Sequence, residues 1–289
     1  MVIVKITGGL GNQLFQYATG KALAKKLSCE LALDLSFYPT QTLRKYELDK
    51  FNIKARIATT KEISLAGGGN DVVSRLMRKF GLTSVIFPQY IKERESIKYV
   101  EKIDQCKSGA FLDGYWQNPR YFSQIKVELV QEFTPKTSLS APALIWKERI
   151  AQSSTPVSLH VRRGDYIDNA HTNSVHGTCG LDYYRAAINK VLDTAENPTF
   201  YVFSDDIDWC KENLGSLGVG WGGYIDDTQS AIDDLMLMSF CHHHIIANST
   251  FSWWAAWLGN DGLTIAPQNW FSDLSRNNTS IYDSAWFII

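Results

Sequence analysis

Hydrophobic and polar positions along the chain change period several times, and each change marks an element. Val2–Ile6 is a short apolar run that reads as a strand, and it feeds the glycine-rich turn Gly8-Gly9-Leu10-Gly11. A helix is predicted to begin near Asn12, because Leu14, Ala18 and Ala22 recur at helical spacing with Phe15, Leu23 and Leu27 beside them. A second strand, Glu30–Leu35, follows directly. Such a βαβ unit argues for a parallel sheet. Residues 36–105 hold no clear period: short helical patterns, a break at Gly67–Asn70, and a basic helix around Ser74–Lys79. A strand at Ala110–Leu112 then runs into Asp113–Pro119. Pro135, Ser138, Ser140 and Pro142 punctuate a connection, and a helix near Leu144–Ala151 leads into the second half.

The second half alternates more regularly. Strand Val157–Val161 precedes helix Asp182–Leu192, and strand Thr199–Phe203 precedes a short helix from Asp206. Helix Ala231–Phe240 precedes strand His244–Ala247, then helix Phe251–Leu258 and a strand near Leu263–Ala266. No internal repeat or coiled-coil heptad interrupts this order. The pattern predicts an α/β protein of two Rossmann-like domains, 1–150 and 151–289, facing each other across a cleft. A length of 289 residues suits two domains.

Composition narrows the function classes. With 45% hydrophobic and 20% charged residues the chain can bury ordinary cores, which excludes disorder. A net charge of −1 supplies no global basic field for nucleic acid, so any anion site must be a local cluster. The aromatic share of 12% is compatible with the stacking of sugar rings, but composition alone favours core filling. Cys29, Cys106, Cys179, Cys210 and Cys241 are scattered, without a CxxC pair, as in the reduced thiols of a cytoplasmic protein. Met1–Thr7 reads as a first strand, not as a leader, and no apolar run is long enough to span a bilayer. At a membrane the protein would sit on the inner surface, as a peripheral partner.

The most informative stretch is Val157-Ser158-Leu159-His160-Val161-Arg162-Arg163-Gly164-Asp165-Tyr166. A buried strand here runs straight into two arginines, a glycine and an aspartate. Ligands of open α/β sheets sit beyond the carboxyl ends of strands, and guanidinium forks there suit a diphosphate. Taken alone, the same residues also read as a surface ion pair. Tyr201–Asp206 is a second strand ending in polar groups, and Asp206-Ile207-Asp208 matches a D-x-D metal pattern. Both acids are equally ordinary at a helix start. Asn248-Ser249-Thr250-Phe251-Ser252 is a third strand-to-helix junction, able to hold phosphate or simply to cap a helix. In the first half, Gly9 and Gly11 allow a backbone to approach a ligand, with Asn12 and Gln13 at the helix start. The turn fits neither a dinucleotide fingerprint, for Leu14 replaces the third glycine, nor a Walker loop around Gly20-Lys21. The run His242-His243-His244 does not point one way and is no metal tract.

Together the motifs at Gly8–Ala18, His160–Tyr166, Phe203–Asp206 and Asn248–Trp254 resemble those of the α1,2-fucosyltransferases, glycosyltransferase family 11, in order along nearly the whole chain. Gly114–Gln117 with Tyr121-Phe122, and Leu181–Tyr184 with Ala187-Ile188, fit the same family. The resemblance implies an inverting, GT-B-like enzyme that moves fucose from GDP-β-L-fucose to the 2-hydroxyl of a galactose in a glycan acceptor, with no metal or other cofactor. It makes Arg162 the arginine on the donor diphosphate, with Arg163 supporting the loop. His160 and Asp205 would order the guanine pocket. Asp206, Asn248, Ser249, Thr250 and Ser252 join the donor site, as do Gly9 and Gly11, and Asn12 would face the reaction centre. The general base stays open among Asp165, Asn12 through a water, and no dedicated residue. Tyr115, Trp116 and Gln117 would line the acceptor side or serve as core. The loop Asp168–Gly180, with His171, His176 and Cys179, would cover the acceptor or lie on the surface. The alternatives are transfer from another GDP-sugar, another linkage, and a module that binds glycan or nucleotide without turnover.

Overall fold

A computed structural model of the protein describes residues 1–69, 71–164, 177–259 and 262–289. Asp165 and most of the loop 168–180 lie outside the described residues. The chain forms two compact units, Met1–Lys136 and Thr137–Ile289. This division comes earlier than 150/151 for a physical reason. Helix α6 (Ala141–Gln152) is anchored to the second unit, where Trp146 Nε1 donates to Asp227 at 2.6 Å and the Tyr201 hydroxyl donates to the Arg149 carbonyl at 3.0 Å.

The first unit is a five-stranded sheet in the order β3-β2-β1-β5-β4, with every pairing parallel. Its strands are β1 (Val2–Lys5), β2 (Leu31–Asp34), β3 (Arg56–Ile57), β4 (Tyr90–Lys92) and β5 (Phe111–Asp113). Helix α1 (Leu10–Lys26) starts earlier than expected, because Gly9 is its N-cap and Leu10 already joins the core. It is buried on most of its circumference, so its polar residues need internal partners. Gln16 donates to the Thr7 hydroxyl and the Gly114 carbonyl, at 2.9 and 3.0 Å. Gln13 donates to the Lys45 carbonyl and accepts from the Glu47 N–H, at 2.8 and 2.9 Å. An unpaired amide at such a depth would cost about 1–3 kcal/mol. Lys21, once a nominal Walker residue, is paired with Glu132 at 2.6 Å. Helices α2 (Thr60–Leu65), α3 (Val72–Lys79), α4 (Thr83–Ile86) and α5 (Lys126–Glu132) complete the unit.

The second unit carries a six-stranded sheet, β11-β10-β9-β6-β7-β8, again with every pairing parallel. The strands are β6 (Thr155–Val161), β7 (Pro198–Ser204), β8 (Trp221–Ile225), β9 (His243–Ile245), β10 (Thr264–Ala266) and β11 (Phe287–Ile288). Strand β8 escaped the sequence reading, since Gly222 and Gly223 inside it imitate a turn. Helices α7 (Leu181–Leu192), α8 (Ile207–Leu214), α9 (Ala231–Ser239) and α10 (Thr250–Leu258) agree with the expected alternation. Strands β6 and β7 are buried on both faces along most of their length, as parallel strands between helices must be. All five cysteines are free thiols. No helix among the described residues is long and apolar enough to cross a membrane.

Candidate active-site residues

In the second unit β9, β6 and β7 lie side by side and parallel, so their carboxyl ends share one edge. Chain order reverses between β6 and β9, the place where open α/β sheets receive ligands. Val161 is level with Ser204, so Arg162 emerges beside Asp205. The Arg162 guanidinium reaches the Asp205 carboxylate at 3.0 Å and remains 25% exposed. Asp205 also accepts from the Arg163 backbone N–H at 2.9 Å. A side chain at Gly164 would stand 2.9 Å from the Asp205 carboxylate, so glycine keeps this approach open.

Both arginines are paired with an aspartate after β7. Arg163 lies over the Trp209 ring at 4.0 Å and is tied to Asp206 at 3.1 Å, which suits a supporting role. Asp206 in turn caps α8 by accepting from the Trp209 N–H, while the Asp208 side chain is 94% exposed. The D-x-D acids therefore part company as helix-start residues. No group of three or more metal-ligating side chains occurs among the described residues.

His160 is buried under this edge, and its Nδ1 has no hydrogen-bond partner among the described residues. Burial, helped by the Arg162 charge and opposed by Asp205, pushes its pKa down to about 3, so the ring is neutral at pH 7. Its ring lies 6.0 Å from that of Phe251, which joins the end of β6 to the start of α10. There Ser249 caps α10 by accepting from the Phe251 N–H, and the Ser252 hydroxyl is spent on the Ser249 carbonyl, each at 3.3 Å. Asn248 donates to the Gly177 and Trp270 carbonyls at 3.2 and 3.4 Å. Thr250, the first residue of α10, is the partly exposed one of these four. Asn248, Ser249 and Ser252 build the junction, and Thr250 is presented by it.

The first unit has its own reversal of chain order, between β1 and β5. Gly8 takes φ +77°, and a Cβ there would stand 2.8 Å from the Asn12 side-chain amide. Gly9 precedes α1 and Gly11 is buried in its first turn, where helix N–H groups lack helical partners. Asn12 accepts from the Gln117 side-chain amide at 2.9 Å, so the motifs after β1 and after β5 meet directly. Of the three acceptor candidates, Tyr115 is 43% exposed and Gln117 is nearly buried beside Asn12. Of the two readings open for Trp116, acceptor side or core, its burial matches the core. The residue is wholly buried at φ +58°, packed edge-on to Tyr121, because the turn rotates it inward.

That turn depends on a residue the sequence did not announce. Glu93, just past β4, accepts from the Tyr115 and Trp116 N–H groups at 2.6 and 3.1 Å. Burial raises its pKa to about 7, against the lowering effect of those two bonds. Strand β4 lies within residues 36–105, where the sequence shows no clear period, so nothing in the pattern marked its end. Tyr38, whose hydroxyl donates to the Gly8 carbonyl at 3.1 Å, was likewise missed.

Two all-parallel α/β units with polar carboxyl edges define a GT-B-like glycosyltransferase fold. Solved structures share it: the NodZ α-1,6-fucosyltransferase soaked with GDP-fucose aligns over 96% of both chains, with TM-score 0.55 and 14% identity. An Arabidopsis thaliana FUT1 variant in complex with GDP covers 98% of this chain and 74% of its own, with TM-score 0.56 and 15% identity. The family model Glycosyl transferase family 11 matches residues 1–289, and the chain belongs to that family. Among its relatives, an Escherichia coli α-1,2-colitosyltransferase is 36% identical over 99% of this chain and 98% of the relative. The Escherichia coli O-antigen biosynthesis glycosyltransferase WbnK is 33% identical over 97% of this chain and 98% of its own length. A mouse galactoside 2-α-L-fucosyltransferase, Sec1, is 25% identical over 92% of this chain and 67% of its own.

Proposed function

We propose that the protein transfers L-fucose from GDP-β-L-fucose, with inversion and without a metal, to the 2-hydroxyl of a galactose residue in a glycan acceptor. The observation that carries this reading is Arg162 at the reversal point of the second sheet, beside a neutral buried imidazole and the start of α10. Cleavage of the fucose–phosphate bond builds an oxocarbenium-like sugar and charge on the departing diphosphate. Preorganised cations and helix N–H groups aimed at that charge lower the barrier most. Arg162 supplies the fixed cation, Arg163 and Asp205 hold its loop, and Thr250 with the α10 N–H groups meets phosphate oxygens. His160, uncharged, offers a hydrogen bond to the base without repelling or neutralising the diphosphate. In the first unit Asn12, oriented by Gln117, holds the acceptor hydroxyl, with the Tyr115 ring beside the sugar. A late, dissociative displacement asks little of a base. Asp165 is a candidate for it outside the described residues.

A second reading is transfer of colitose, the 3-deoxy counterpart of fucose. The E. coli α-1,2-colitosyltransferase, similar over nearly the whole chain, favours it. The test is incubation with GDP-fucose, GDP-colitose and GDP-mannose, each with a β-galactoside, followed by linkage analysis. An α1,2-fucoside is the expected product. Turnover of GDP-colitose alone selects the second reading, and nucleotide binding without turnover ends both.

A further inference from the structure

Helix α3 is built the wrong way round for a globular surface. At about 100° per residue, Val72, Leu76, Phe80 and Val73 fall within one arc of about 100°. An amphipathic surface helix normally turns such an arc to the core. Here the arc faces solvent: Val72 is 71% exposed, Phe80 68%, Val73 58% and Leu76 48%. The opposite side is the one held down, with Ser74, Met77 and Arg78 half-buried and Arg78 donating to the Gly69 carbonyl at 2.6 Å. The next turn continues the outward apolar surface through Leu82, Val85 and Ile86.

Charge says what covers it. Between Asp71 and Glu93 the chain carries no acid and four bases, Arg75, Arg78, Lys79 and Lys92. Arg75 and Lys79 are exposed along one border of the apolar arc. A second copy of the same face would bring these bases together across a two-fold contact, with no acid in the segment to neutralise them. An anionic bilayer satisfies both parts at once, taking up the apolar arc below the headgroups while the bases meet lipid phosphates.

We propose that the segment Val72–Ile86 is a docking surface for anionic lipid, holding the protein flat on a membrane. It is independent of which sugar is transferred. The full chain is sedimented with vesicles of phosphatidylglycerol and phosphatidylcholine, and with phosphatidylcholine alone. Binding to the anionic vesicles, weakened by salt, is expected. The pair Leu76→Ser with Phe80→Ser should weaken it about tenfold or more, and Arg75→Glu with Lys79→Glu should abolish the preference for anionic lipid. Both pairs should keep native turnover on a soluble acceptor. A Phe80→Trp variant, otherwise native, should show blue-shifted emission on the anionic vesicles. No vesicle binding, binding that the substitutions leave unchanged, or a dimer that Phe80→Ser dissolves in place of vesicle binding would each overturn the proposal.

Discussion

The two sheets share one architecture and differ in the chemistry of their carboxyl edges. The edge of the second unit is ionic, with Arg162 and Arg163 cross-tied to Asp205 and Asp206. The edge of the first mixes charged strand ends, with Lys5 3.9 Å from Asp113 and Glu93 buried past β4, with neutral groups around Gly8, where Asn12, Gln117 and Tyr38 cluster. Fixed cations suit a diphosphate whose charge grows during reaction. Amides suit sugar hydroxyls, which need both donors and acceptors at no cost of burying charge. One topology thus carries two different carboxyl edges, and the residues after each strand decide their chemistry.

The sharpest way to break this contrast is Arg162→Ala. It should lower kcat by about two orders of magnitude or more with an unchanged melting temperature, and Arg162→Lys should restore little, since an ammonium lacks the planar fork. Near-native turnover in the alanine variant would remove the donor assignment. Next, Asn12→Ala and Gln117→Ala should each raise KM for the acceptor about tenfold while leaving KM for the donor unchanged. Their effects should be strongly non-additive in a double-mutant cycle, because one hydrogen bond joins them. Independent, additive losses would show that the pair does not act as a unit.

A smaller effect concerns pH. Folding raises Glu93 from about 4.3 in a free chain to about 7. Between those values the folded chain keeps a proton that the unfolded chain has released, so this group makes stability fall as pH rises. Glu93→Gln preserves an acceptor for the Tyr115 and Trp116 N–H groups and should flatten that slope, as read from urea midpoints across the interval. A slope identical to that of the native chain would show that the carboxyl is not the titrating group. The smallest expected effect is that of EDTA. Full activity after chelation supports arginine in the place of a metal, and loss restored by Mg²⁺ or Mn²⁺ would reverse it.

Much of this could be read before the fold was known, and the reason is local pattern. Val157–Val161 alternates apolar and polar positions and Thr199–Phe203 is mostly apolar, so the arginines and aspartates after them could be placed at strand ends. The α1 pattern spans several turns and revealed the first βαβ unit in the same way. Strands β3 and β4 lie within residues 36–105, where no clear period stands out, so Glu93 stayed hidden there. Strand β8 was masked by its paired glycines.

By itself the chain determined its alternating α/β character, its family, and the kinds of group available at each strand end, because those follow from local period and residue type. Only the tertiary structure decided which groups are presented and which are consumed. Asn12 and Gln117 meet across 105 residues of sequence because β1 and β5 are neighbours in the sheet. Ser252 and Asp206 spend themselves on backbone groups, and Trp116 turns inward on a strained turn held by Glu93. Strand pairing between distant residues sets these outcomes, and no local pattern encodes it.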